Sequence, residues 1–115
     1  MENDCLFCKI IKGDIPSSRV YEDEDVFAFR DINPAAKIHI LLVPKKHIAS
    51  LADVKEEDSV LIAKMHQVVN KIAIQEGFME GGYRLIVNCG KDAGQEVMHL
   101  HFHILAGEKM GDKIV

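Results

Sequence analysis

The sequence predicts an α+β fold in which an antiparallel sheet carries one long helix and a short N-terminal helix. Three observations lead to this prediction. An apolar stripe with helical spacing runs through the middle of the chain. Short β-branched and apolar segments, separated by turn residues, lie on both sides of that stripe. Strands and helices do not alternate regularly, which disfavours a doubly wound parallel sheet.

The N-terminal segment predicts a short helix followed by two strands. Residues 5–12, CLFCKIIK, place their apolar groups at helical spacing, and Gly13 suits the position just after a helix. Residues 15–18 contain a proline and two serines and predict a turn. Residues 19–22 and 25–31 then predict two strands with acidic turn residues between them.

The next two elements are a buried strand and the long helix. Residues 37–43, KIHILLV, predict a largely buried strand that ends at Pro44. Asp53 followed by Glu56 resembles a capping box and predicts the start of the helix. Gly77 predicts its end. The apolar positions of this helix recur at helical spacing: Leu61, Ile62, Met65, Val68, Val69, Ile72 and Ala73.

The C-terminal part predicts two further strands joined by a polar loop. Residues 83–88 and residues 97–105 have the composition of strands. The loop at 89–96 contains two glycines, and the tail from Gly107 has turn chemistry and little pattern.

Length and composition limit the classes of protein to which the chain can belong. Its 115 residues fit one domain, residues 1–115, and 48% hydrophobic residues suffice for a core. A net charge of −4 argues against nucleic acid as a partner, which needs a basic surface. Apolar runs are too short to span a membrane, and the acidic N-terminus does not resemble a signal peptide. We therefore expect a cytoplasmic protein, whose three cysteines do not form a disulfide framework.

Three histidines alternate with apolar residues in the last predicted strand. Since side chains alternate across a strand, His99, His101 and His103 share one face, and the residues between them supply the core. Three buried imidazoles each need polar partners, which makes them costly as mere packing residues. The pattern indicates a chemical site. A solvated polar face, an accidental cluster and a metal site made of all three histidines are alternatives.

A candidate phosphate site lies just before this strand. Residues 88–97 contain Gly90 and Gly94, where backbone N–H groups can approach an anion, and the amide of Asn88 can donate. An ordinary hairpin loop is the alternative. A neutral imidazole is a competent nucleophile near neutral pH, so attack on phosphorus would give a covalent nucleotidyl-histidine that water later hydrolyses.

The sequence resembles the histidine triad superfamily. The run HLHFHIL at 99–105 matches its His-x-His-x-His-x-x signature, in which x is apolar. Further segments are similar to its Hint branch in the same order and at similar spacing: CLFCKIIKGDIPS, AFRDINPAAKIHILLVPKKHI, GYRLIVN and AGQEVMHLHFHILAG. The resemblance covers nearly the whole chain. It implies the histidine triad fold, a homodimer, and hydrolysis of purine nucleoside phosphoramidates to nucleoside monophosphates.

The resemblance also implies roles for individual residues. His101 matches the nucleophile, and His39 matches a buried histidine that supports the triad. His103 and Asn88 match residues that contact the phosphate, and Asp31 matches the carboxylate that binds the ribose hydroxyls. The phosphate loop corresponds to Gly94, Gln95 and Glu96, and Val97 is a further expected substrate-binding residue. The walls of the base pocket correspond to Phe7, Ile10, Ile15, Phe29, Arg30 and Ile32.

Glu96 departs from the pattern of some relatives. Some members carry a serine at this position, whose hydroxyl is thought to assist the leaving group. A carboxylate does not donate a hydrogen bond unless it is protonated. We therefore expect Glu96 to act only through its backbone.

A second site, for structural zinc, is indicated by Cys5 and Cys8. The CxxC spacing is half of a zinc signature. Relatives that bind zinc combine such a pair with a histidine after a strand and the first triad histidine, which implies His47 and His99 as the other ligands. In the alternative interpretation, the two cysteines pack as small hydrophobic residues.

Other functions compete with the phosphoramidase. A dinucleoside polyphosphate hydrolase is the main rival among enzymes, because another triad branch has that activity. A nucleotide-binding regulatory module and a zinc-stabilised interaction protein are the alternatives outside the enzymes. Apolar pocket walls would accept either purine by shape, so the sequence does not decide between adenine and guanine.

Overall fold

Five antiparallel strands form one sheet in the computed structural model, which describes residues 5–114. They are β1 (Arg19–Glu22), β2 (Val26–Arg30), β3 (Ile38–Pro44), β4 (Tyr83–Val87) and β5 (Phe102–Ala106). Their order across the sheet is β1-β2-β3-β5-β4. Two α-helices, α1 (Leu6–Lys12) and α2 (Ser59–Gln75), complete the fold. The predicted α+β class is confirmed.

The main core lies between α2 and one face of the sheet. Most of the predicted apolar stripe of α2 is fully buried there, through Met65, Val68, Val69, Ile72 and Ala73, whereas Leu61 and Ile62 at its start are only partly buried. The sheet contributes alternate residues of its central strands: Val26, Ala28, Ile40, Leu42, Phe102, Ile104 and Ala106. This alternation follows from the two-residue repeat of a strand.

A smaller cluster covers the opposite face of the sheet. There α1 packs Phe7, Cys8 and Ile10 onto the other set of alternate residues, Phe27, Phe29, Leu41 and Val43. Burial on both faces explains why β2 and β3 are almost continuously apolar in sequence. His39 and His103 alternate with core residues of their strands, so they project on the α1 side.

Local hydrogen bonds define both ends of α1. Cys5 precedes it, and its Sγ accepts a hydrogen bond from the backbone N–H of Cys8 at 3.4 Å. Gly13 follows with a φ of 85°, and its N–H donates to the carbonyl of Ile10. This left-handed conformation favours glycine, in agreement with the predicted end of the helix.

The predicted start of the long helix is wrong. Two 3₁₀ turns, Leu51–Asp53 and Glu56–Asp58, precede α2, which begins only at Ser59. The Asp53 carboxylate accepts a hydrogen bond from the Ser50 hydroxyl at 2.7 Å and caps no α-helix. Local side-chain bonding thus replaces the capping box suggested by Asp53 and Glu56. Neither this helix nor any other within residues 5–114 has the length and apolarity needed to cross a membrane.

The last strand is shorter than predicted. The sequence predicted a strand over 97–105, whereas β5 pairs with its neighbours only from Phe102 onward. Phe102 lies opposite Val87, the last residue of β4, and opposite Leu42 of β3, although β3 itself continues to Pro44. Before β5 the backbone is held by a different contact, in which the N–H of Leu100 donates to the carbonyl of Ile48 at 2.7 Å.

Candidate active site

The neutral ring of His101 is held in one tautomer by the main-chain carbonyl of His99. His101 lies just before β5, with 7% of its surface exposed. Its Nδ1 atom is 2.7 Å from the carbonyl oxygen of His99. A carbonyl only accepts, so Nδ1 carries the proton, and Nε2 of the neutral ring keeps a free lone pair. Phe7 packs edge-on against the ring with a centroid distance of 5.0 Å, which fixes the plane of the imidazole.

Beside His101, the rings of His39 and His103 are joined by a hydrogen bond whose direction can be assigned. The backbone N–H of Ala35 donates to Nδ1 of His39 at 3.0 Å. This nitrogen therefore accepts, and the proton of the neutral His39 ring is on Nε2. That atom lies 2.9 Å from Nδ1 of His103, to which it donates. The proton of a neutral His103 ring is consequently on its remaining nitrogen, Nε2.

Burial keeps both members of this pair neutral. Desolvation lowers the pKa of His39, and the nearby carboxylate of Asp31 offsets this only in part. Desolvation also lowers the pKa of His103 to about 4, with further lowering by repulsion from a charged His101 or His39. Near neutral pH, His103 is thus a neutral hydrogen-bond donor.

Asp31 joins this pair to a turn after β2. One carboxylate oxygen, Oδ1, accepts the backbone N–H of Asn33 at 2.8 Å. The other, Oδ2, lies 3.5 Å from Nε2 of His39. The side chain is partly exposed, so Oδ2 can still accept hydrogen bonds from a ligand.

A cavity of about 680 Å³ brings these groups together. It is lined by all of the predicted substrate-binding residues except Gln95: Phe7, Ile10, Ile15, Phe29, Arg30, Asp31, Ile32, Asn88, Gly94, Glu96, Val97, His101 and His103. Arg30 also pairs its guanidinium group with Glu76 near the end of α2. The volume suits a small molecule such as a nucleotide.

Gln95 braces the loop beside the cavity. Its side-chain oxygen accepts from the N–H of Gly90 at 2.9 Å, and its amide donates to the carbonyls of Ala49 and Val97. These bonds hold the glycine-containing loop in place.

Sequence reasoning missed several residues that line the cavity, namely Leu6, Pro16, Ser17, Asn33 and Leu41. Leu41 alternates with His39 along β3, and that spacing would have placed it on this face. The hydrogen bond from the backbone N–H of Ala35 to His39 was also missed, because the pattern of side chains does not show which main-chain groups donate.

The cluster implied for a metal is present in the fold. Cys5, Cys8, His47 and His99 place one ligand atom each within 4.8 Å of one another. Nδ1 of His99 lies 3.3 Å from Sγ of Cys5 and 3.6 Å from Sγ of Cys8. Nδ1 of His47 lies 3.4 Å from Sγ of Cys8. Zinc bonds of about 2.3 Å to sulfur and about 2.0–2.1 Å to nitrogen give tetrahedral S–N separations of about 3.5 Å, so the spacing fits.

The orientation of His99 also fits a metal ligand. Its Nε2 lies 2.8 Å from the carbonyl oxygen of Pro44, to which it donates. Nδ1 thus keeps its lone pair for the cysteine side, an arrangement typical of ligand histidines. A second group with metal-compatible spacing, Asp31, His39 and His103, is already explained by the hydrogen bond between its two rings.

Comparison with known proteins agrees with this geometry. The family model for the HIT domain matches residues 12–110. The purine nucleoside phosphoramidase of Escherichia coli strain K12 is 47% identical over 111 residues, which cover 96% of this chain and 93% of the relative. Protein HitA of Neisseria gonorrhoeae is 48% identical over 91% of this chain and 96% of its own length.

Solved structures give the same result. A histidine triad protein from Clostridium difficile is 55% identical, with a TM-score of 0.93 and 96% of each chain covered. A HIT family hydrolase from Legionella pneumophila is 47% identical, with a TM-score of 0.94 over 97% of this chain and 100% of its own. The histidine-bearing site thus lies in a fold shared with hydrolases, and this chain belongs to the HIT domain family.

Proposed function

We propose that this protein hydrolyses purine nucleoside phosphoramidates to nucleoside monophosphates, with His101 as the nucleophile. The observation that carries the proposal is the hydrogen bond of Nδ1 of His101 to the carbonyl of His99, because it leaves the Nε2 lone pair available beside the cavity. The similarity to the Escherichia coli phosphoramidase supports the choice of substrate.

The proposed reaction has two steps. In the first, Nε2 of His101 bonds to phosphorus, the phosphorus–nitrogen bond of the substrate breaks, and the amine leaves with a proton taken from water. In the second, a water molecule attacks phosphorus, the bond to His101 breaks, and the proton released by this water neutralises the hydroxide left by the first step. Overall, the hydroxyl group of one water goes to phosphorus and its proton goes to the amine.

The rest of the cavity would hold the nucleotide. The Nε2–H group of His103, the amide of Asn88 and the backbone at Gly94 would donate to the phosphate oxygens, where negative charge develops. Asp31 would accept hydrogen bonds from the ribose hydroxyls. Apolar walls that include Ile10 and Phe29 would enclose the flat purine.

We further propose that Cys5, Cys8, His47 and His99 hold a structural zinc ion. Four protein ligands are typical of closed zinc sites, in which the ion cross-links the chain and leaves no position for substrate. Here the cross-link would join the start of α1 to the segments after β3 and before β5. His99 would then serve the metal through its side chain and orient His101 through its carbonyl.

The protein is further proposed to be a homodimer, as the resemblance to the Hint branch implies. β4 is an edge strand of the sheet, so one side of its backbone is available for pairing. Leu85 in this strand is 37% exposed, which is consistent with a contact surface. Light scattering coupled to size exclusion should give twice the 12.9 kDa chain mass.

Turnover of adenosine and guanosine 5′-phosphoramidates tests the function. We expect His101→Ala to lower kcat/KM by more than about a thousandfold, because the nucleophile is lost. Rapid quenching with phosphorus-labelled substrate should trap label on the parent chain and none on the variant. Circular dichroism would verify that the variant folds.

His66→Ala is the matched control, because His66 is exposed on α2 and does not line the cavity. We expect its activity to stay within about twofold of the parent. Full activity of the folded His101→Ala variant would refute the assignment of His101 as the nucleophile. Binding of purine monophosphates without any turnover would instead indicate a regulatory module.

A further inference from the structure

A second cavity adjoins the one described above. It has a volume of about 450 Å³ and is lined by Cys5, Leu6, His47, Ala49, Glu96, Val97 and Met98. Leu6, Glu96 and Val97 line both cavities, so they form the boundary between them. A molecule bound in the first cavity can therefore extend past these three side chains into the second.

We propose that the second cavity is the subsite for the leaving amine, and that Glu96 selects amines that carry a second, positively charged group. This inference rests on the proposed phosphoramidase function. It gives the carboxylate of Glu96 a role, whereas the sequence led us to expect that this residue acts only through its backbone.

The direction of the substrate follows from the residues of the first cavity. Phe29, Asp31 and Ile32, which would hold the nucleoside, belong to the segment at the end of β2. Glu96 and Val97, at the boundary with the second cavity, belong to the loop before β5 that also carries Gly94, which would hold the phosphate. With the ribose at Asp31 and the phosphate at Gly94, the substituent on phosphorus lies on the side of this loop, next to Glu96.

The chemistry of the subsite defines the amine. Leu6, Met98, Ala49 and Val97 give it apolar walls, and the side chains of Leu6 and Met98 are 44% and 52% exposed. Glu96 is exposed at the boundary, and within residues 5–114 it has no cationic side chain within ion-pair distance. An aliphatic chain that ends in an ammonium group would cover the walls and pair with this carboxylate.

The predicted substrates are thus nucleoside phosphoramidates of aliphatic diamines. The bond that breaks is still the phosphorus–nitrogen bond to the proximal amine, and the diamine leaves intact with its distal ammonium group unchanged. The distal charge acts on recognition and takes no part in the chemical step.

Two substrates of matched length provide the test: the adenosine 5′-phosphoramidates of 1,5-diaminopentane and of hexylamine. We expect the parent to favour the diamine compound about fivefold in kcat/KM, as an exposed ion pair allows. Glu96→Gln should bring the ratio of the two kcat/KM values to about one, whatever its effect on the turnover of either compound alone. Added salt should lower the ratio of the parent.

Asp92→Asn is the matched control, because Asp92 is exposed on the same loop and lines neither cavity. It removes the same charge and should keep the parent ratio. Equal turnover of the two compounds by the parent, or an unchanged ratio in Glu96→Gln, would overturn the inference while the phosphoramidase function stands.

Binding measurements test the subsite independently of the reaction. Calorimetry with the His101→Ala variant measures the affinity for both intact compounds, whether or not the parent turns them over. About fivefold tighter binding of the diamine compound, lost when Glu96→Gln is added, is the expected result. Equal affinities would overturn the subsite, whereas a preference in binding without turnover by the parent would overturn only the proposed function.

Discussion

Nε2 of His39 lies 2.9 Å from Nδ1 of His103, and this contact determines where both rings carry their protons. This chain of hydrogen bonds starts at the backbone N–H of Ala35, which can only donate to Nδ1 of His39. His103 therefore offers an N–H group at its other nitrogen. A main-chain donor on a loop thus determines which nitrogen of His103 carries the proton beside the cavity.

Replacing His39 tests this ordering. In His39→Ala, His103 no longer receives a hydrogen bond at Nδ1, and its neutral ring can adopt either tautomer. We expect kcat to fall about fivefold, since a hydrogen bond contributes about 1 kcal/mol, while KM changes less. Steady-state kinetics with adenosine phosphoramidate measure both constants. An unchanged kcat in the folded variant would contradict the positioning role.

Stability should decrease on acidification because of His103. Its pKa is lowered from 6.5 to about 4 in the folded protein, so between these values the unfolded chain binds more protons. The contribution to stability is present above pH 6.5 and is lost as the pH falls toward 4. Urea denaturation across this range measures the free energy of unfolding, which should depend less on pH in His103→Asn than in the parent. If the free energy of unfolding changed equally with pH in parent and variant, the pH dependence would not come from His103.

Metal removal should destabilise the fold. We expect one zinc ion per chain, and Cys8→Ser should lose it and lower Tm by more than about 10 °C, because metal binding contributes to folding. Elemental analysis and thermal melting measure the two effects. Cys89→Ser is the control, because Cys89 is exposed and lies outside the metal-compatible clusters found within residues 5–114. A parent without metal and with unchanged melting in Cys8→Ser would refute the zinc site.

Asp31 should discriminate ribose from deoxyribose. Asp31→Asn keeps an oxygen acceptor for the N–H of Asn33 but removes the charge that would bind two vicinal hydroxyls. We expect the parent to prefer the ribonucleoside phosphoramidate over its 2′-deoxy analogue, and the variant to lose about tenfold of this preference in kcat/KM. Competition between the two substrates measures the ratio. Asp14→Asn, at an exposed position outside the cavity, should match the parent.

Sequence patterns predicted those parts of the fold that depend on near neighbours. The bounds of β1 and the end of α1 at Gly13 agree with the prediction, because turn residues and a left-handed glycine act locally. The starts of α2 and β5 were not predicted correctly. In the first case a Ser50–Asp53 hydrogen bond competed with the cap. In the second, the segment before Phe102 pairs with neither β3 nor β4, and the N–H of Leu100 donates to the carbonyl of Ile48 instead.

For the candidate site, too, some features follow from the sequence and others only from the tertiary structure. By itself, the sequence determined that three histidines occur at alternate positions and which residues resemble a zinc signature, because spacing along the chain carries that information. The strand from which their common face was predicted contains only His103 of the three in the structure. Only the tertiary structure decided the tautomers of His39 and His103 and the junction of two cavities at Glu96. These depend on main-chain donors and on contacts between segments far apart in sequence, which no local pattern records.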